Sequence, residues 1–164
     1  MKKTACLVIA LLSSLLTVYG DLGDSPAQYD KLYGKSVASY TKEQLEAPGW
    51  VPPRKIEWDA TLAYVYSVTP TCKLVAWFKP VGDKPVCNAL YFSSYNKVDN
   101  LLEQNLPTAK PKISWQENRE QRKKYAGLLI KGYTRSDGKA VASYIERDVD
   151  GKTLYELIIF SPLH

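Results

Sequence analysis

From Thr61 onward the chain is built of short runs rich in aromatic and β-branched residues, cut at regular intervals by turn formers. This rhythm constrains the fold more than any other feature. Residues 62–68 (LAYVYSV), 73–79 (KLVAWFK) and 86–92 (VCNALYF) read as strands. Pro70-Thr71 turns the chain between the first two, and residues 80–85 loop between the second and third. Connections this short produce an antiparallel meander. The rhythm returns at 128–135, 139–147 and 152–160, with Asp137-Gly138 and Asp150-Gly151 between the runs. Such dipeptides suit hairpin turns because both residues tolerate positive φ.

Helix signals precede each series. Ser25-Pro26-Ala27-Gln28 is a capping box with proline at the first helical position, and Tyr29, Leu32 and Tyr33 follow at helical spacing up to Gly34. A second box, Thr41 to Gln44, leads into a short helix that Pro48-Gly49 ends. Asn96 caps a run with Val98, Leu101 and Leu102. Residues 115–125 (WQENREQRKKY) are strongly charged and read as a solvated helix. The expected fold class is therefore α+β: an antiparallel sheet with short helices, a single domain over 21–164. Within it, 21–94 and 95–164 read as a tandem of two helix-pair and three-stranded meander units, with equivalent strands roughly 66–70 residues apart on boundaries good to a few residues; the competing reading is one irregular α+β domain with no duplication.

Residues 1–20 are read as a signal peptide and excluded from the fold. Lys2 and Lys3 supply the basic start, an apolar stretch runs from Ala5 to Leu16, and Val18 and Gly20 fit a small-residue cleavage pattern ahead of Asp21. The stretch is shorter than the roughly 20 residues that span a bilayer, and no later segment is long and apolar enough. The expected localisation is periplasmic or secreted. Removing Lys2 and Lys3 leaves 20 basic against 17 acidic residues, too mild an imbalance to argue for nucleic acid.

Export makes a disulfide between Cys72 and Cys87 allowed. The meander opposes it, because cysteines opening successive antiparallel strands lie about 20 Å apart at ~3.3 Å per residue. Enzyme chemistry finds few residues to work with. The only histidine, His164, is terminal. Two separated cysteines make no metal or haem site, no phosphate loop is present, and Asp148-Val149-Asp150-Gly151 reads as a hairpin turn ahead of a calcium loop. Neither a cofactor nor a metal is expected, and the chain is read as non-catalytic. A hydrolase using carboxylates alone stays open, since such pairs are set by the fold.

Residues 21–28 (DLGDSPAQ) followed by Leu32-Tyr33-Gly34-Lys35 resemble a phrase that precedes a three-stranded meander in small exported bacterial proteins. Trp77-Phe78, residues 87–91 and residues 133–142 are similar to later strands of the same group. The chain thus resembles the SmpA/OmlA outer-membrane assembly lipoproteins and the β-lactamase-inhibitor-protein-like superfamily. It departs from them in having Ser36 where that phrase carries proline, and in lacking a lipidation cysteine at the end of the apolar stretch. The resemblance implies helices on an antiparallel sheet and carries over no catalytic residue.

Two surfaces are candidates for binding. Pairing the first hairpin about Pro70-Thr71 sets Tyr64 opposite Trp77 and Tyr66 opposite Val75, all on one face, with Leu90 joining them. Tyr133, Ala142, Tyr144 and Leu157 line one face of the second meander. The competing reading is that this face is core beneath the helices. The second candidate is the basic patch Arg119, Arg122, Lys123 and Lys124. The expected function is an exported protein that contacts another protein through the aromatic sheet face. The alternative is a binder of acidic glycans or lipid head groups through the basic segment.

Overall fold

In a computed structural model, which describes residues 21–45, 60–97, 100–105 and 112–162, the two strand series join edge to edge. The strands are β1 (Ala38–Thr41), β2 (Leu62–Thr69), β3 (Cys72–Val81), β4 (Lys84–Ser94), β5 (Trp115–Tyr125), β6 (Leu128–Arg135), β7 (Val141–Val149) and β8 (Lys152–Phe160). They form one eight-stranded sheet of order β1-β2-β3-β4-β8-β7-β6-β5, antiparallel throughout. The first four strands occupy one half and the last four the other, meeting where β4 pairs with β8. The helices are α1 (Pro26–Tyr33), α2 (Lys42–Leu45) and α3 (Asn100–Gln104). Residues 1–20, read above as a signal peptide, residues 46–59 and His164 lie outside the described residues.

The fold is mainly β, not α+β: only 13% of it is helical. The run read from Asn96 holds α3, with Leu101 and Leu102 helical as read, while residues 98 and 99 lie outside the described residues. One helical reading fails. The charged run 115–125 is β5, an edge strand. Its charges fooled the periodicity because an edge strand with nearly every side chain in water has no apolar face to mark its period. Charge there also guards the unpaired edge against pairing with other chains.

The first hairpin's register corrects the expected aromatic stripe. Thr69 pairs with Cys72 about Pro70-Thr71, as the turn residues indicate, but Val68 is extra, and beyond it Ser67 pairs with Lys73. Tyr64 therefore faces Ala76 and Tyr66 faces Leu74, while Trp77 opposes Ala63. A one-residue bulge moves every later partner by one, so Trp77 points to the opposite face from Tyr64 and Tyr66. The Asp150-Gly151 turn has the expected geometry, with φ of 53° and 75°. Asp137-Gly138 does not make a two-residue turn. It sits in a longer loop whose Gly138 N–H donates to the Arg135 carbonyl at 2.8 Å.

The capping box of α1 forms as read, with Ser25 N–H donating to the Gln28 side chain at 2.8 Å. That helix and α3 cover one face of the sheet. Tyr29 from α1 and Leu101 and Leu102 from α3 pack on Tyr66, Leu74, Phe78, Leu90, Phe92, Ala142, Tyr144, Leu157 and Ile159. A second, smaller cluster lies on the opposite face, where Trp77, Ala63 and Ala89 are buried with Ala60 beside half-buried Tyr40, Val75, Tyr91 and Phe160.

Candidate binding surface

The structure divides the five aromatic residues singled out in the sequence. Tyr66 and Tyr144 are buried on the helix-covered face, and Tyr64 and Tyr133 are half-buried against the same core. The pairings Tyr133↔Ala142 and Tyr144↔Leu157 place the second-half residues on one face, as the alternation indicates. That face is the one beneath the helices. Trp77 is buried on the other. Tyr29 stacks edge-on to Phe78 with centroids 5.5 Å apart, and Phe78 meets Tyr64 at 5.5 Å in the same manner. These rings fill the interior, a use that suits aromatic pairs of this geometry.

The cysteines are both buried and both free. Cys72 opposes Ser94 and Cys87 opposes Phe78, so the register holds them at different ends of the β3–β4 hairpin, and no bridge forms. Cys87 accepts a hydrogen bond from the Tyr29 hydroxyl at 3.3 Å. Burial pushes its thiol up to about 12, far from the ionised form that reacts.

The basic run does not form one patch. Lys123 pairs with Ile130 and Lys124 with Leu129, neighbours that point to opposite faces. Arg119 and Arg122 lie in a bulge between Asn118 and Lys123, where four residues oppose Lys131 alone, and Arg122 reaches Glu117 at 3.9 Å. Lys123 points to the sheet face opposite the helices, where it lines a cleft.

That face carries a strip of partly exposed apolar residues. Reading across the strands, Val75, Tyr91, Ile158 and Ser143 lie in one row, and Trp77, Ala89, Phe160 and Val141 in the next. Val75, Tyr91, Val141, Phe160 and Ile130 are each partly exposed. Where the second half meets the β5 bulge, a cleft of about 470 Å³ opens between Gln121, Lys123, Ile130, Val141, Ser143 and Phe160. Gln121 lies so close over Gly132 that a Cβ there would sit 2.8 Å from the Gln121 Cβ. A glycine in a strand often marks such an approach.

The strip is bordered by a fixed charge that sequence reading missed. The Glu156 carboxylate is buried and accepts bidentate bonds from Arg147, from Nε at 2.7 Å and from Nη2 at 3.2 Å. The Tyr91 hydroxyl donates to the same carboxylate. Burial, followed by that bond, pushes the Tyr91 phenol up, and the bond to Glu156 raises Arg147 further above its already high value. Glu156 is sealed while the Arg147 side chain remains 48% exposed, so the cluster anchors a guanidinium at the edge of the apolar strip. The signal was a lone Glu inside an otherwise apolar and aromatic run (LYELIIF), with Arg147 diagonally across the β7–β8 ladder.

Among the described residues no group of three or more His, Cys, Asp or Glu side chains is arranged to hold a metal ion, and no helix is long and apolar enough to cross a membrane. In comparison with known proteins, no family model, no curated protein and no solved structure matches the chain, and no superfamily is identified.

Proposed function

We propose that the chain is an exported, non-catalytic binding protein that engages another polypeptide through the sheet face opposite its helices. The observation that carries this reading is the partly exposed apolar strip of Val75, Tyr91, Val141 and Phe160 bordered by Arg147 and Lys123. An apolar strip with a cationic border suits a partner segment that presents apolar side chains beside an acidic residue. Tyr and Arg are the residue types on which such interfaces concentrate their energy. Export rests on the basic, apolar and small-residue sequence of residues 1–20.

Photo-crosslinkable residues at Val141 and Val75, with one at Ala27 on the exposed side of α1 as control, test the surface in cells. A single protein adduct formed from the sheet positions and not from Ala27, and weakened by Arg147→Glu, is the expected result. Equal labelling from all three positions overturns it. Binding to anionic vesicles or heparin that Lys124→Glu abolishes, with no protein adduct, would transfer the function to the charged edge strand and acidic glycans or lipid head groups.

A further inference from the structure

The first residue after the expected cleavage point is tied into the fold through its backbone nitrogen, its carbonyl and its carboxylate Oδ1. The Asp21 backbone nitrogen donates to Asp24 Oδ2 at 2.9 Å. Its carbonyl accepts from Asp24 N–H at 3.1 Å and from the buried Tyr29 hydroxyl at 3.0 Å. Its carboxylate accepts from Leu22 N–H at 2.8 Å and reaches the buried Arg135 at 3.5 Å. Two residues on, Gly23 N–H donates to the Cys87 carbonyl and Cys87 N–H returns to the Asp24 carbonyl, both at 2.8 Å. The segment thus bridges the two halves of the sheet, from β4 to the end of β6.

We propose that cleavage before Asp21 completes this site chemically: the new terminal ammonium is a built-in ligand of the Asp24 carboxylate, and the processed chain is locked by an ion pair that its precursor does not have. The inference rests on the export reading given above. In the precursor the Asp21 nitrogen is an uncharged amide with one proton. After hydrolysis of the Gly20–Asp21 bond, Gly20 leaves as a carboxylate and the nitrogen gains its protons from water. A free α-amine is protonated at neutral pH, and a charge-assisted bond to a carboxylate is about twice as strong as a neutral one. Gln28 Nε2 holds the other Asp24 oxygen at 3.0 Å, so the acceptor is already oriented. The nearby Arg135 is engaged by Asp21's own carboxylate and by Asp137 at 2.8 Å, which offsets its repulsion of the new ammonium.

The test compares chains of residues 21–164 with a free or an Nα-acetylated terminus, each with and without Asp24→Asn, by urea unfolding at pH 7. Acetylation keeps an N–H and removes the charge. In the free-amine chain Asp24→Asn is expected to raise the unfolding equilibrium constant about two- to fivefold more than in the acetylated chain, the upper part of the range for exposed pairs. Equal costs in the two backgrounds overturn the lock. If the Asp24→Asn chains do not fold, the unchanged sequence still decides, because coincident free and acetylated midpoints overturn it too. The intact mass of the protein recovered from the exported fraction tests the underlying reading separately. A start other than Asp21 refutes the processing site, whereas a start at Asp21 with no coupling refutes the lock alone.

Discussion

The two halves of the sheet share a ladder and fill it with different chemistry. Tyr66↔Leu74↔Phe92 in the first half has its counterpart in Tyr133↔Ala142↔Ile159 in the second, on the same helix-covered face. Around the first ladder the space is taken by rings: Tyr29, Tyr66 and Phe78 are fully buried, and Tyr33 and Tyr64 stack on them. Around the second the buried Tyr144 and half-buried Tyr133 lie among Ala140, Ala142, Leu157 and Ile159, with Arg135 buried at one end and Glu156 buried on the reverse face. One backbone pattern therefore packs a cluster of stacked rings on one side. On the other it mixes single rings with aliphatic side chains and buries Arg135 and Glu156 against partners of opposite charge.

The sharpest way to break this contrast is to delete a ring. Phe78→Ala is expected to cost about 3–5 kcal/mol, the usual range for emptying a large buried site. Ala142→Leu, which overfills the second half, should cost about 1–3 kcal/mol. Urea unfolding of both variants checks the order. If overfilling at Ala142 proves the more damaging, the first half is not the main aromatic support.

The two members of the Arg147–Glu156 pair should respond unequally. Arg147→Met leaves a buried carboxylate with only Tyr91 to serve it, at a cost of about 2 kcal/mol after allowing for the exposure of Arg147. Glu156→Met leaves a half-exposed guanidinium that water solvates, and should cost under about 1 kcal/mol. Equal losses from the two substitutions would mean that the pair acts through mutual attraction, not through the burial of its acid.

Much of the second half was legible because its signals are local. Asp150-Gly151 fixed a turn, and the apolar alternation about Tyr133, Ala142, Tyr144 and Leu157 fixed a face. The α1 capping box was equally plain. The first hairpin was legible at its turn and misleading beyond it, because the bulge at Val68 leaves no mark in a run of uniformly β-favouring residues. Both faces of that hairpin are buried at Tyr66, Trp77, Leu74 and Ala63, so alternation could not reveal the slip. Strand β5 was hidden for the opposite reason, having no apolar side at all. The candidate strip could not be seen until the register was known, since it consists of whichever residues the helices leave uncovered.

The buried thiol of the first half offers a smaller, pH-dependent contrast. Cys87 ionises near 9 when unfolded and at about 12 when folded, with burial as the main cause. Its contribution is fully present below pH 9 and is lost as the pH climbs towards 12, because only the unfolded chain releases that proton in between. The difference in unfolding free energy between the native sequence and Cys87→Ala should therefore be flat from pH 6 to 8 and shift by about 1 kcal/mol by pH 10. A flat difference up to pH 10 would show that water reaches the thiol.

The least costly change tests the β5 bulge that walls one side of the cleft in the second half. A Cβ at Gly132 would collide with Gln121 Oε1 and lie 2.8 Å from the Gln121 Cβ, so Gly132→Ala cannot be absorbed by rotating the amide alone. The bulge has to lift, at a cost of about 1 kcal/mol, little of it from backbone conformation. Gln121→Gly removes the obstructing side chain and should recover most of that loss when combined with Gly132→Ala, giving non-additive energies in a double-mutant cycle. Additive costs would mean that the side chain of Gln121 does not rest on Gly132, and the cleft would then lose the wall that separates it from the sheet edge. Partner crosslinking at Val141 in the same four proteins ties the geometry to function: the bulge matters to binding only if the adduct weakens with Gly132→Ala and returns in the double variant.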